Sequence, residues 1–403
     1  GNLMNNAGIT TRIYNFALAL VGWLKGGLGH VNVLGSVIFA GMSGTAIADA
    51  AGLGTIEIKA MKEHGYSTEF AVGVTAASAT LGPIIPPSLP FVIYGMMANV
   101  SVGALFLAGI LPGVLLAILM MLTVAYFAHR NGWGGDVKFS STRFFKAMCE
   151  LAVVIGWPLL MWLLVSKLGT PAQLTVFAGL ASLFVLDRIF RFEALLPIMT
   201  PVLLIGGMST GLFTPTEGAI AACVWAMILG FGWYKTLSWK MFVKVCLDTI
   251  ETTSTVLFIV AAASIFGWML TATGVTTDIA NWVLGFTKEA WVFLLLANLL
   301  MLFVGCFLEP TAAITILVPI LLPIATQLGV DPIHFGLVMV LNLMIGLLHP
   351  PMGMVLFVLA RVAGLSFERT TMAILPWLIP LLLALVVITY VPSLVLWLPK
   401  MFF

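Results

Sequence analysis

The sequence predicts an all-α polytopic membrane protein made of two inverted repeats, each with a re-entrant helical hairpin and a broken helix. Three observations predict it. Hydrophobic residues make up 61% of the 403 residues, charged residues only 8%, and mean hydropathy is +1.13. A soluble domain carries about a quarter charged residues, so this composition belongs in a bilayer. One offset of 264 residues links two Gly–Pro-Pro interruptions in otherwise apolar runs. Traced through the spans, Lys and Arg gather on one side, as the positive-inside rule requires.

The apolar stretches come first. They recur at 111–127, 151–165, 174–186, 218–231, 254–270, 290–305, 335–348 and 374–391, the pattern of helices crossing roughly 30 Å of hydrocarbon. Cys149, Cys223, Cys246 and Cys306 are scattered, with no disulfide or metal spacing, and are expected to be small buried hydrophobes. The net charge of +2, without a basic patch, gives no reason to expect nucleic acid.

The repeat justifies the next elements. "ATLGPIIPPS" (79–88) has its twin in "IGLLHPPMG" (345–353): Gly82 pairs with Gly346, Pro86 with Pro350 and Pro87 with Pro351. At the same offset Gly41 pairs with Gly305, and Ile110-Leu111-Pro112 with Ile374-Leu375-Pro376. Proline removes a helix donor and clashes one turn back, so each motif breaks its helix. Matched broken segments point to a transporter binding site. The expected units are a first repeat over 1–130, with a hairpin at about 31–58 and a broken helix at about 70–95, and a second over 252–403, with a hairpin at about 290–323 and a broken helix at about 334–360. Between them, 131–235 holds a basic loop and connecting helices, including two spans at about 150–187. Residues 236–251 read as an amphipathic arm along the membrane face, and 10–26 as a similar piece. With the basic loop 129–146 inside, every Lys and Arg of the 18 lies inside except Lys167, Lys288 and Lys400. Apolar spans upstream of 265 have no counterpart in the first repeat, so a further N-terminal span is expected in a longer chain.

Non-helical backbone at membrane depth persists only when buried in protein or lining a polar cavity. Two hairpin tips facing two breaks would make such a cavity, with freed carbonyls suited to Na⁺ and helix N-termini suited to an anion. Ser43 and Thr45 offer hydroxyls at the first tip, and Gly82, Ile85 and Pro86 offer carbonyls at the first break. Gly346, His349 and Pro350 are the counterparts, joined at the second tip by Glu309 and Thr311. Thr45, Asp49, Glu309 and Ser88 are placed at the substrate cavity, because a carboxylate at membrane depth costs roughly 3 kcal/mol even on the lower scales. Plainer readings stand beside these. Ser43 and Thr45 fit small packing residues, His349 a bonded helix-end histidine, and Asp49 a cap for the helix that follows. Glu217, after Thr214-Pro215-Thr216, reads as a helix start rather than a site. The charged stretch "EIKAMKEHG" (57–65) reads as a cytoplasmic segment. No nucleotide loop or HExxH is present, so no enzyme is expected.

"GHVNVLGSVIFAGMSGTAIADAAGLGTIEIKAM", "EFAVGVTAASATLGPIIPPS", "GLFTPTEGAIAA" and "FLEPTAAITILVPILLPIATQLGVDPIHFG" together resemble the large membrane subunit of tripartite ATP-independent periplasmic (TRAP) transporters, the DctM-like family. The resemblance covers nearly the whole chain. It implies an elevator-type ion-transporter-like fold and a Na⁺-driven importer of an organic acid anion in a bacterial inner membrane. It also implies two partners, a periplasmic substrate-binding protein and a small four-helix membrane subunit, separate or fused. By that resemblance Ser43, Gly82, Ile85 and Pro86 form one Na⁺ site, and Gly346, His349, Pro350 and Thr311 a second. Two departures are Ala40, where the family often has serine, and the spans at 150–187, absent from many relatives. The alternatives are a stand-alone Na⁺-coupled divalent-anion carrier without a binding protein, and a scaffolding membrane subunit.

Overall fold

The computed structural model describes residues 3–4, 7–168, 172–192, 194–209, 213–351 and 353–402. Helix dominates, and no strand occurs among the described residues beyond one isolated bridge between Lys25 and Gly135. The chain is a polytopic helical protein. Among the described residues, six helices are long and apolar enough to cross a membrane. Large apolar side chains such as Ile118, Leu122, Ile155, Phe258 and Ile379 are exposed on them, which suits contact with lipid.

The first unit begins with α1 (Ile9–Val21) and α2 (Gly27–Ser43). Gly44, at φ +67°, ends α2, a left-handed turn that glycine adopts at no steric cost. The chain then reverses into the short α3 (Ala46–Ala51) and, after Gly52, α4 (Leu53–Glu63). The expected hairpin is therefore broken in its returning arm. α5 (Thr68–Ala79) and α6 (Leu89–Ala98) flank the first Gly–Pro-Pro motif, and α7 (Val102–Arg130) follows. Ser67, Ser88 and Ser101 cap these three helices through their hydroxyls.

The middle of the chain holds α8 (Ser141–Leu168), α9 (Ala172–Phe190), α10 (Leu195–Ser209) and α11 (Pro215–Met227). α11 passes into a π-helical turn, Ile228–Trp233, where 218–231 reads from sequence as one regular span. Glu217 and Thr214 form a reciprocal capping box with Pro215 in the first turn, as the sequence suggests. The arm expected at 236–251 does not end there. α12 (Trp239–Ala272) runs unbroken through that boundary, because Gly267 is its sole glycine, it has no proline, and helix propagates where nothing interrupts it.

The second unit contains α13 (Val275–Phe286), α14 (Ala290–Gly305), α15 (Pro310–Gln327), α16 (Pro332–Gly346), α17 (Met354–Ala363) and α18 (Phe367–Tyr390). Packing between the units is reciprocal. α5 lies along α18, and α16 lies along α7, so each broken helix rests on the long helix that follows the other. Likewise α6 packs on α15, and α17 packs on α3. One hydrophobic core joins these elements of both units, from Phe70, Leu81 and Phe91 to Phe335, Trp377 and Leu381. A second core gathers Ile9, Ile13, Phe39, Trp157, Leu195, Met199, Trp225 and Leu229, from α1, one face of α2, and α8 to α11 with its π-helical turn.

At one end of α2 the basic loop is tied down. Asp136 accepts from the Leu28 amide at 2.8 Å and from the Tyr66 hydroxyl at 2.6 Å. Burial, and then the Asp136 carboxylate, raise the Tyr66 phenol above its ordinary pKa, so this bond keeps its proton. The cysteines depart from expectation. Cys306 is buried, but Cys149 and Cys223 are exposed and Cys246 is half-buried. A thiol is only weakly polar and is tolerated in either setting.

Candidate functional site

The first tip and the first break meet through backbone. Gly44 is so close to the Pro87 carbonyl that a Cβ would lie 2.8 Å from its oxygen, and the Leu89 amide donates to the Gly44 carbonyl at 3.4 Å. Gly82 faces the Thr45 carbonyl, 3.0 Å from where its Cβ would stand. Between α5 and α6 the chain makes tight turns, with the Ile84 and Ile85 amides both donating to the Leu81 carbonyl. No backbone hydrogen bond among the described residues ends on the carbonyls of Gly82, Ile85 or Pro86. Both Pro-Pro bonds, 86–87 and 350–351, are cis.

Ser43 Oγ is buried with no hydrogen-bond partner. Ser43, Gly44, Pro87 and Ser88 line a cavity of about 250 Å³, closed on its other side by Leu204 of α10 and Ala219, Ala222 and Cys223 of α11. Ser88, buried, donates to the Pro83 carbonyl and caps α6 by accepting from the Phe91 amide. Thr45 and Asp49 are not among the residues lining this cavity. Thr45 caps α3, accepting from the Ala48 amide at 3.3 Å.

The second tip is arranged differently. Glu309 caps α15, accepting from the Thr311 and Ala312 amides at 2.8 and 3.3 Å and from the Thr311 hydroxyl at 2.9 Å. Gly346 ends α16 directly against Gly305, whose Cα lies 2.6 Å from where a Gly346 Cβ would stand. The Gly346 carbonyl already accepts from the His349 amide at 3.0 Å. His349 is exposed, with Nδ1 3.0 Å from the Pro350 carbonyl, which matches the plainer helix-end reading. Met352, beyond this break, lies outside the described residues.

The structure adds residues that sequence reasoning missed. Asn32 of α2 donates to Glu57 of α4 and, at 2.8 Å, to Thr75 of α5, while Ser78 donates to the Asn32 carbonyl oxygen at 2.8 Å. All four are at most 2% exposed. Glu57 therefore does not belong to a solvated charged stretch. Leu53, Gly54, Glu57, Ile58 and Met61 form the buried face of α4, and that i, i+4 spacing was readable. Asp49 caps nothing: both carboxylate oxygens are buried without a hydrogen-bond partner. A related clasp lies in the second unit, where Asn342 of α16 donates to Asn298 of α14 at 2.8 Å and Asn298 donates to Thr389 of α18 at 3.0 Å.

Comparison with known proteins gives the family. Residues 1–394 match the model described as "Tripartite ATP-independent periplasmic transporter, DctM component". Over its full length the chain is 40% identical to the sialic acid TRAP transporter large permease protein SiaM of Vibrio cholerae, covering 84% of that protein. It is 35% identical to the C4-dicarboxylate TRAP transporter large permease protein DctM of Pseudomonas aeruginosa, over 99% of this chain and 84% of the relative. It is 37% identical to the sialic acid TRAP transporter permease protein SiaT of Haemophilus influenzae, of which it spans 58%. With a family match over almost all its residues and relatives that are transport permeases rather than enzymes, this multi-pass membrane chain belongs to the DctM component, the large permease, of the tripartite ATP-independent periplasmic transporters.

Proposed function

We propose that the chain is the membrane-embedded carrier of a Na⁺-coupled importer that receives an organic acid anion from a periplasmic binding protein and moves it across the bacterial inner membrane. The single observation that carries this reading is the first tip and break. Among the described residues Ser43 Oγ and the carbonyls of Gly82, Ile85 and Pro86 have no hydrogen-bond partner, and they belong to a tip and a break whose backbones are in contact. Buried polar atoms of this kind need a partner, and oxygens without donors suit a hard cation. The donor set fits Na⁺. The second set fits less well, since the Gly346 carbonyl is taken and the Thr311 hydroxyl donates to Glu309. Its remaining oxygens are the Thr311 lone pairs, since the Pro350 carbonyl lies 3.0 Å from His349 Nδ1.

The cavity beside Ser43 and Ser88 is the proposed place for the anion. No Lys or Arg lines it, so the N-terminus of α6 supplies the favourable field. Relatives named for sialic acid and for C4-dicarboxylates share a third or more of the sequence, so both are candidate cargoes. The reciprocal packing of the broken helices supports the inverted-repeat reading. The position of the cavity, between the core shared by both units and the core of α8 to α11, supports an elevator in which one core slides against the other. A small four-helix membrane subunit, separate or fused, completes the complex.

The test is uptake into proteoliposomes, with the binding protein present or omitted and an inward Na⁺ gradient present or absent. Uptake that requires both is expected. Uptake without the binding protein would replace this reading with the stand-alone divalent-anion carrier, and uptake indifferent to Na⁺ would remove the coupling ion.

A further inference from the structure

We infer that Asp49 and Glu57 hold a Na⁺ ion between them, at a site separate from the hairpin tip. The two carboxylates come from consecutive helices, α3 and α4, and face one side of α2. Ser36 lies against Asp49, and Asn32, one turn away on the same face, bonds Glu57. Asp49 and Glu57 lie on consecutive short helices packed on the same helix, and the Asp49 charge is felt at Glu57. Both are 2% exposed. Asp49 Oδ1, Asp49 Oδ2 and Glu57 Oε1 have no hydrogen-bond partner.

Among the described residues no cation is paired with either acid. The nearest lysines in sequence turn away: Lys59 pairs with Glu63 at the surface, and Lys62 reaches the Ala363 carbonyl. Asn32 serves one oxygen of Glu57 and Ser36 stands beside Asp49, but buried carboxylates with so few donors and no counter-ion are disfavoured, so something absent from the chain compensates them. One small cation lying between the acids, with one proton on the pair, balances both charges and gives all three oxygens a partner.

Two further observations point to a ligand. The side chain of Asn32 is held in one orientation, its oxygen accepting from Ser78 and its amide donating to Glu57 Oε2 and Thr75. That leaves Oε1 open, and Gly35 keeps the space beside it: a Cβ there would stand 2.9 Å from Oε1. The second unit shows what a purely structural clasp requires. Asn298, Asn342 and Thr389 join the same kinds of helices with neutral groups alone. Holding an entry helix against a broken helix therefore needs no charge, and the two carboxylates serve another purpose.

This inference does not rest on the tip reading, and the experiment keeps them apart. Thermal unfolding of the purified full-length protein is followed across a Na⁺ titration, with choline chloride holding ionic strength constant, for the parent, Glu57→Gln and Gly82→Ala. Without Na⁺, Glu57→Gln is expected to melt no lower than the parent, since it removes an uncompensated charge. Its Na⁺ midpoint should rise at least tenfold, while Gly82→Ala keeps a Na⁺-dependent shift. A Glu57→Gln titration that superimposes on the parent would overturn the proposal, as would loss of the whole Na⁺ response in Gly82→Ala. Should Glu57→Gln not fold, Asp49→Asn takes its place in the titration: a Na⁺ midpoint raised at least tenfold supports the site, and an unshifted midpoint removes it. A Gly82→Ala protein that behaves like the parent would count against the tip alone.

Discussion

In the first unit the hairpin tip itself closes on the break: Gly44 abuts Pro87 and Gly82 abuts Thr45. In the second, contact falls four residues earlier, where Gly346 meets Gly305 in the arm of the hairpin. The residue at the matching place in the first arm, Gly41, packs instead on Pro201 of α10, 2.7 Å from where its Cβ would stand. The first arm thus uses its small-residue face against the connecting helices, and its tip is left to meet the break. The second arm uses that face on its own broken helix, and its tip, with Phe307, Leu308 and His349 exposed, is open. Related sequence motifs have been put to different contacts because different neighbours compete for the same glycine. The closed unit is where polar oxygens without donors collect.

The largest expected effect tests the close approaches. Gly346→Ala drives a Cβ into the Gly305 backbone, and a backbone cannot swing aside as a side chain can. Overpacking of this kind costs about 1–3 kcal/mol, and uptake should be abolished. Gly82→Ala meets Thr45 at a looser 3.0 Å. Its melting temperature should fall less, and its uptake should fail through Na⁺ affinity. Equal melting losses for the two would erase the distinction between units.

The asparagine clasps sharpen the comparison next. Asn32→Ala strips Glu57 and Ser78 of a buried partner, whereas Asn298→Ala strips neutral groups alone. An unmade buried hydrogen bond costs about 1–3 kcal/mol, more beside a charge. Asn32→Ala should therefore destabilise more in Na⁺-free denaturant melts, and the reverse order would break the argument.

Capping gives a smaller contrast. Glu309→Ala removes the acceptor of three hydrogen bonds at α15, and Thr45→Ala removes one at α3. Losses of about 2 and about 1 kcal/mol are expected in thermal melts. The smallest effect belongs to Ser43→Ala. Its hydroxyl has no partner to lose, so stability should hold while the Na⁺ concentration for half-maximal uptake rises severalfold. An unchanged Na⁺ curve would take Ser43 out of the cation set.

Much of the site was legible. Gly82, Pro86 and Pro87 announced a break because proline forbids the helix around it, and Ser43 and Thr45 were placed at the tip by the small residues that allow a turn. Thr214 and Glu217 were legible as a capping box because capping is local chemistry. Glu57 was passed over: "EIKAMKEHG" shows three acidic or basic types within a few residues, and the eye counts charge before it counts the 3.6-residue period. Asn32, Ser78, Asn298 and Asn342 carried no signal, since each is polar in an apolar run and its side-chain partners lie 25 or more residues away.

The sequence by itself determined the class of protein, the interruptions at the two Gly–Pro-Pro motifs and the family, because these follow from hydropathy, from proline and glycine stereochemistry, and from long motifs. Only the tertiary structure decided which glycine meets which backbone, that α12 runs unbroken past the expected arm, and that two carboxylates share one dry face of α2. Those outcomes depend on which helices arrive beside one another, and packing partners distant in sequence leave no mark on the local chain.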